Sequence, residues 1–350
     1  MAPSTYVKRQ IRELPPVYFA LVMATGIVSI SCYLLGFQLL SRLFFYLNNF
    51  QYGILVVLSV LKLAWFSADV AKDFSDSSKA PGFLTFIAAS CVLGIQYAVL
   101  STGYLAAAVL WCTGFAAWLI ITYGFLLVLI VKPSKPSLDA GINGGWLVLV
   151  VATQSLSVLA SKLAGHFFMS AETMVLLSAM AFFFGIFFYL LLIPILFFRM
   201  MFDPMKPQSF TPPYWVLMGA AAITSLSGST LLQTLTAANY PDLIPICKAV
   251  TLAAWVIAAW WIPLLIILEI WRHFFRKIPF TYFPVNWDLV FTVGMYTASS
   301  FQLARLFGSP LLLILAHIML YMALPVWLIT FISMLFSFAG NVMKAVRHER

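Results

Sequence analysis

The chain alternates between long apolar segments and short polar ones. A helix needs about 20 apolar residues to cross the hydrocarbon of a bilayer, and this pattern predicts ten such spans. The predicted spans lie near residues 15–37, 43–67, 82–101, 104–131, 140–161, 172–201, 213–233, 243–271, 285–303 and 309–338. We therefore expect an all-α polytopic membrane protein in which residues 1–350 form a single transmembrane domain.

A charged residue, a proline and an aromatic residue recur in this order before each odd-numbered span. The prolines that mark this motif are Pro15, Pro81, Pro136, Pro212 and Pro284. Proline suits the first turn of a helix, and aromatic residues favour the membrane interface, so each motif alone indicates only where a span begins. Its fivefold recurrence at roughly one fifth of the chain predicts five helical hairpins.

The two members of each predicted hairpin differ in residue size. Odd-numbered spans are rich in small and hydroxylic residues, whereas even-numbered spans are bulky and apolar. We expect odd helices inside and even helices outside, around a central pore, although small residues also favour close packing in an ordinary helix bundle. The candidate pore-lining residues are Thr25, Gly26, Ser29, Ser90, Thr153, Gln154, Ser157, Thr224, Ser225, Gly228, Gly294 and Thr297.

Composition and charge agree with a membrane protein. Hydrophobic residues make up 63% of the chain and charged residues 9%, a balance that excludes a water-soluble domain of this size. The formal charge of +9 follows topology and does not predict nucleic-acid binding, because basic residues precede the first span, follow the even spans and close the chain at Lys344, Arg347 and Arg350. The positive-inside rule predicts cytoplasmic termini in a plasma (inner) membrane.

The opposite side of the predicted topology carries only Arg42, Lys162, Lys248 and Arg305. An anion-attracting vestibule is the alternative explanation for the basic residues. We find no buried Lys or Arg on the odd spans, which predicts weak binding of anions and little selectivity.

Few residues point to chemistry. The four cysteines form no CxxC pair, and we expect no metal and no cofactor. The sequence shows no nucleophile paired with a base, no HExxH motif and no paired aspartates. We therefore do not expect an enzyme. Asp288, in the first turn of the ninth span, is expected to cap that helix. His317, within the tenth span, is a candidate proton relay or pH sensor, with a hydrogen bond to a neighbouring helix as the alternative.

Four stretches resemble the tellurite-resistance/dicarboxylate transporter family, which includes plant guard-cell slow anion channels and fungal malate and sulfite transporters. They are Leu14 to Ser29, Trp146 to Leu156, Pro212 to Ala222 and Trp287 to Tyr296. The ordered set covers nearly the whole chain.

The resemblance implies ten helices in five hairpins around a central pore, one pore per protomer of a homotrimer in the lipid bilayer. It also implies a phenylalanine on the ninth helix that occludes the pore, and the Trp-x-x-x-Phe spacing of Trp287 and Phe291 assigns this role to Phe291. The family commonly has a proline after this phenylalanine, whereas this chain has Thr292.

Two functions therefore remain open. The first is channel-like transport of small inorganic anions through a pore that Phe291 occludes. The second is a proton-coupled carrier of C4-dicarboxylates such as malate, or of oxyanions such as tellurite or sulfite, for which His317 is the candidate proton relay. Nothing in these residues selects among the anions.

Overall fold

The computed structural model describes residues 3–347, and the side chains of residues 7–340 and of Met343. Arg350 and the side chains of Lys344 and Arg347 lie outside this part of the chain. Most of the described residues are helical, and none of them lies in a strand. The α-helices are α1 (Pro3–Arg12), α2 (Ala20–Leu34), α3 (Gln38–Trp65), α4 (Ser67–Phe74), α5 (Leu84–Leu100), α6 (Tyr104–Val131), α7 (Leu138–Gly141), α8 (Val148–Leu163), α9 (Ala171–Phe202), α10 (Val216–Ala237), α11 (Ile244–Ile270), α12 (Trp287–Phe307) and α13 (Pro310–Arg347).

Nine helical segments of the described chain are long and apolar enough to cross a membrane. They are Pro16–Leu34, Gln38–Trp65, Ala80–Leu100, Tyr104–Val131, Gly144–Leu163, Ala171–Phe202, Pro212–Ala237, Pro241–Phe275 and Pro310–Gly340. The predicted ninth span is helical as α12 but is not among them, since Asp288, Gln302 and Arg305 lower its hydropathy. The protein is thus an all-α polytopic membrane protein.

Five helices with small residues, which we call the ring helices, contact one another in a closed order. They are α2, α5, α8, α10 and α12, and α12 also packs against α2. Most of their side chains are buried on every side, including those of α10 from Val216 to Leu232. Glycine, alanine and serine allow this close approach of neighbouring backbones.

A bulky helix follows each ring helix and packs against it. These outer helices are α3, α6, α9, α11 and α13. They expose many large apolar side chains, among them Leu105, Leu190 and Trp260. Apolar faces of this extent are stable in lipid and would be unfavourable in water.

Each ring helix begins with a short 3₁₀ turn, and the five entry turns also contact one another in a closed order. They span Pro16–Phe19, Ala80–Phe83, Gly144–Leu147, Pro212–Trp215 and Pro284–Asn286. Four contain proline, but the third begins after Asn143, whose side chain accepts a hydrogen bond from the Gly145 N–H. Pro136, the predicted marker, precedes α7 instead.

Glycine is required where the third and fourth entry turns meet. A Cβ atom at Gly144 would lie 2.2 Å from the carbonyl oxygen of Pro213. This distance is far below van der Waals contact, so any side chain would separate the two turns. The entry turns therefore pack through their backbones.

Candidate functional site

A large cavity of about 1680 Å³ lies at the beginning of the ring helices. All five entry turns line it, through residues that include Pro16, Gly82, Gly145, Pro213 and Pro284. The N-terminal ends of the ring helices therefore converge on this cavity. Because helix N-termini carry partial positive charge, they favour anions there.

Charged side chains of both signs surround the large cavity. They are Lys8, Arg9, Arg12, Glu13, Asp69, Lys72, Asp73, Lys79, Glu269, Arg272, His273 and Asp288. Several form pairs, including Arg12 Nε with Asp69 Oδ2 at 2.7 Å and Lys62 Nζ with Asp73 Oδ2 at 2.8 Å. Arg12 donates hydrogen bonds to the Asp69 carboxylate and lowers the pKa of Asp69.

A smaller cavity of about 210 Å³ lies toward the C-terminal ends of the ring helices. Each ring helix contributes to its lining, through Ile27, Val92, Val158, Leu226 and Met295 among others. Its polar and charged residues include Ser155, Lys162, Thr230, Gln233, Gln302 and Arg305. A cavity to which all five helices contribute lies along the axis of the ring.

Phe291 lies on α12 between residues that line the two cavities. Asp288, three residues earlier, lines the large cavity, and Met295, four residues later, lines the small one. Residues with these spacings share one face of a helix. The side chain of Phe291 is 1% exposed. Phe291 is thus buried on this face of α12, whereas Val293, two residues later, also lines the large cavity.

Asp288 carries a buried carboxylate that has no hydrogen-bond partner among the described residues. It is 1% exposed, and its Oδ1 is unpaired among the described residues. The prediction that Asp288 caps α12 through a hydrogen bond is wrong, because no side chain forms a cap hydrogen bond at the start of this helix. Burying an unpaired carboxylate is costly, and the cost falls when the group binds a proton.

The predicted pore-lining hydroxyls contact neighbouring helices or their own helix backbone. Thr25 Oγ1 accepts a hydrogen bond from Trp327 Nε1 at 3.0 Å, and Thr153 Oγ1 accepts one from Trp118 Nε1 at 2.8 Å. Ser29 donates to the Ser41 carbonyl oxygen, Ser90 to that of Phe86, Ser157 to that of Ser178, Thr224 to that of Ala220 and Thr297 to that of Val293. Ser225 Oγ is buried and unpaired within the described chain.

The remaining candidates also lie at helix contacts. Gln154 Nε2 donates to the Phe182 carbonyl oxygen at 3.1 Å. Cβ atoms at Gly26, Gly228 and Gly294 would meet Val92, Thr251 and Ile27. None of the twelve candidates lines either cavity. Their role in a pore stays a prediction, and the contacts favour helix packing.

His317 lies on α13 and is partly exposed. Its Nδ1 is 2.9 Å from the carbonyl oxygen of Leu313, one turn earlier in the same helix. His317 lines neither of the two cavities. A proton relay at this residue stays a prediction.

The sequence reasoning missed the polar residues of the small cavity. Lys162 directly follows the predicted fifth span and belongs to α8, where it is partly buried. The ring helices therefore hold no fully buried Lys or Arg among the described residues, as expected. The sequence feature that pointed to this cavity was a basic residue in the last turn of α8 and another in the last turn of α12. What the sequence could not show is that Lys162 and Arg305 line one cavity.

Two uncharacterized transporters of Methanocaldococcus jannaschii are 22% and 24% identical to this chain, over 95% and 92% of it and 98% and 93% of their own lengths. An uncharacterized membrane protein of Mycobacterium tuberculosis is 32% identical over 43% of this chain and 76% of its own length.

The SLAC1 family, described as a voltage-dependent anion channel, matches residues 13–335. This match covers nearly all of both cavities' lining, from the entry turn before α2 to α13. The family is one of channels and transporters rather than enzymes. The resemblance seen in the sequence is confirmed, and the chain belongs to the SLAC1 family of membrane anion transport proteins.

Proposed function

We propose that this protein conducts small anions along the axis of the ring helices and that Phe291 closes the path. One observation supports the proposal: one cavity is lined by all five entry turns and the other by all five ring helices, and the buried Phe291 lies on α12 between Asp288 of the first and Met295 of the second. Helix N-termini favour an anion in the large cavity, and Lys162 and Arg305 favour one in the small cavity. In this proposal α12 completes ten membrane-crossing helices, arranged as five hairpins around the path.

The test is anion current through purified protein in planar bilayers. Phe291→Ala removes the ring at the proposed closure, and we expect chloride current to rise at least about tenfold, equivalent to a barrier lower by about 1.4 kcal/mol. The matched control is Phe182→Ala, since Phe182 is also fully buried but packs near Gly228 on α10. Equal currents in the two folded variants would remove Phe291 from the path.

The proposal includes an orientation and an assembly. By the positive-inside rule the entry turns and both termini face the cytoplasm of the plasma membrane. Val7 and Phe168 are exposed on segments that this orientation places on opposite sides. In sealed cells, an impermeant thiol reagent should label Phe168→Cys and spare Val7→Cys; the reverse pattern would invert the topology. The family resemblance also leads us to propose a homotrimer. Measurement of the native mass in detergent tests this assembly.

A proton-coupled anion carrier is the second candidate function. The buried, unpaired carboxylate of Asp288 favours it, because a charged Asp288 would repel an anion in the large cavity and a protonated one would not. Uptake of malate or sulfite that requires an inward proton gradient would separate the carrier from a channel. Chloride current at symmetric pH supports the channel.

A further inference from the structure

Lys162 and Arg305 bring two positive charges to the small cavity. Lys162 is in the last turn of α8 and Arg305 is in the last turn of α12. Both line the cavity, where Lys162 is partly buried and Arg305 is exposed. The ring helices end here, and helix C-termini disfavour anions, so these two cations oppose the unfavourable field of the helix ends.

Neither cation has an acidic partner within the described part of the chain. The ion pairs found there involve other residues, and no hydrogen bond from Lys162 or Arg305 to a protein acceptor is present. Like charges close together in a partly buried cavity repel each other. An anion held between them would relieve this repulsion.

Neutral donors complete the lining. Gln233 Nε2 donates to Gln302 Oε1 at 3.3 Å, and the amide nitrogen of Gln302 has no acceptor among the described residues. Gln302 is 7% exposed, and Thr230 beside it is 3% exposed. An amide N–H of a residue that lines the cavity can donate to an anion there.

We propose that Lys162, Arg305 and Gln302 form a binding site for a small anion with two negative charges at this mouth of the path. A single negative charge would leave one cation uncompensated, whereas a compact dianion compensates both. The volume of about 210 Å³ and the apolar residues Ile27, Val92 and Met295 limit the ligand to a small oxyanion or short dicarboxylate. The site deepens the proposed function and rests on it, since the same path would carry the bound anion.

The test is equilibrium binding of radiolabelled sulfate to the full chain in nanodiscs of neutral lipid. We expect saturable binding that unlabelled succinate displaces and acetate at equal ionic strength does not. Lys162→Gln and Arg305→Gln should each weaken binding at least about tenfold, the loss of one charge-assisted interaction. Arg42→Gln, which removes an exposed cation of α3, should change nothing.

Lys162→Arg guards against a folding defect, because it keeps the charge and should keep sulfate binding. Full binding in Lys162→Gln, an equal loss in Arg42→Gln, or equal displacement by acetate would overturn the site. If sulfate does not bind but Phe291→Ala raises chloride current, the site is wrong and the conducting path stands. If sulfate binds as expected but no variant passes current, conduction is wrong and the site stands.

Discussion

Gly219 of α10 and Thr292 of α12 pack in direct contact. A Cβ atom at Gly219 would lie 2.3 Å from Thr292 Cγ2 and 3.1 Å from its Cβ. This contact joins two ring helices one residue after Phe291, where the family commonly has proline. The helix continues through Thr292, whose Oγ1 donates to the Leu289 carbonyl oxygen at 2.9 Å.

We expect Gly219→Ala to destabilise the protein by about 1–3 kcal/mol, the usual cost of overpacking. Thr292→Ser removes the nearer methyl group and should recover part of that loss in the double variant. Thermal unfolding in detergent measures both effects. Gly53→Ala is the control, since a Cβ atom there meets nothing within 4 Å. Additive effects of the two substitutions would contradict the contact.

Asp288→Asn should make anion flux independent of proton concentration, because asparagine resembles the neutral acid. Three charged groups at the end of α11 or just after it also line this cavity: Glu269, Arg272 and His273. His273 Nε2 lies 3.2 Å from Glu269 Oε2. Liposome flux at several pH values is the measurement. His273→Gln is the control. If the flux of His273→Gln no longer depends on pH while that of Asp288→Asn still does, the proton binds at His273.

Arg199 holds the segment before α8 to α9 and the fourth entry turn. It is 5% exposed and donates to the carbonyl oxygens of Asp139 and Ile142 and to the Tyr214 hydroxyl. Lysine cannot supply this planar set of donors.

Arg199→Lys should therefore lower the free energy of unfolding by about 2–4 kcal/mol, the value of one or two hydrogen bonds from a charged group. Unfolding in detergent compared with Arg42→Lys provides the measurement. Unchanged stability would show that the ammonium replaces the guanidinium at these acceptors.

The docking of α1 should weaken in acid. Arg12 donates to Asp69 and lowers the pKa of Asp69. A carboxyl group whose pKa is lowered by folding stabilises the fold above its unfolded pKa of about 3.9, and this contribution disappears as the pH falls through the lower, folded pKa.

Amide hydrogen exchange in α1, corrected for intrinsic rates, should show less protection at about pH 3 than at pH 6, across the ordinary pKa of Asp. In Asp69→Asn, protection should already be reduced at neutral pH and should fall less in acid. An identical fall in both proteins would assign the acid effect to another group.

The sequence predicted the class of the protein and the positions of its helices, because lipid demands long apolar segments whatever their neighbours are. Nine of the ten spans reappear as membrane-length helices in the described chain, close to their predicted ends. The remaining one, the ninth span or α12, illustrates the limit: a helix buried among others can be polar, so hydropathy alone does not identify it.

Only the tertiary structure decided which residues face the axis. Most of each ring helix is buried on all sides, and a hydroxyl such as Thr297 can donate to its own helix backbone, so its presence does not show which way it points. Lys162 and Arg305 are far apart in the chain, and the rotation and packing of α8 and α12 bring them to one cavity. Composition thus determined the membrane fold, whereas helix orientation determined the candidate site.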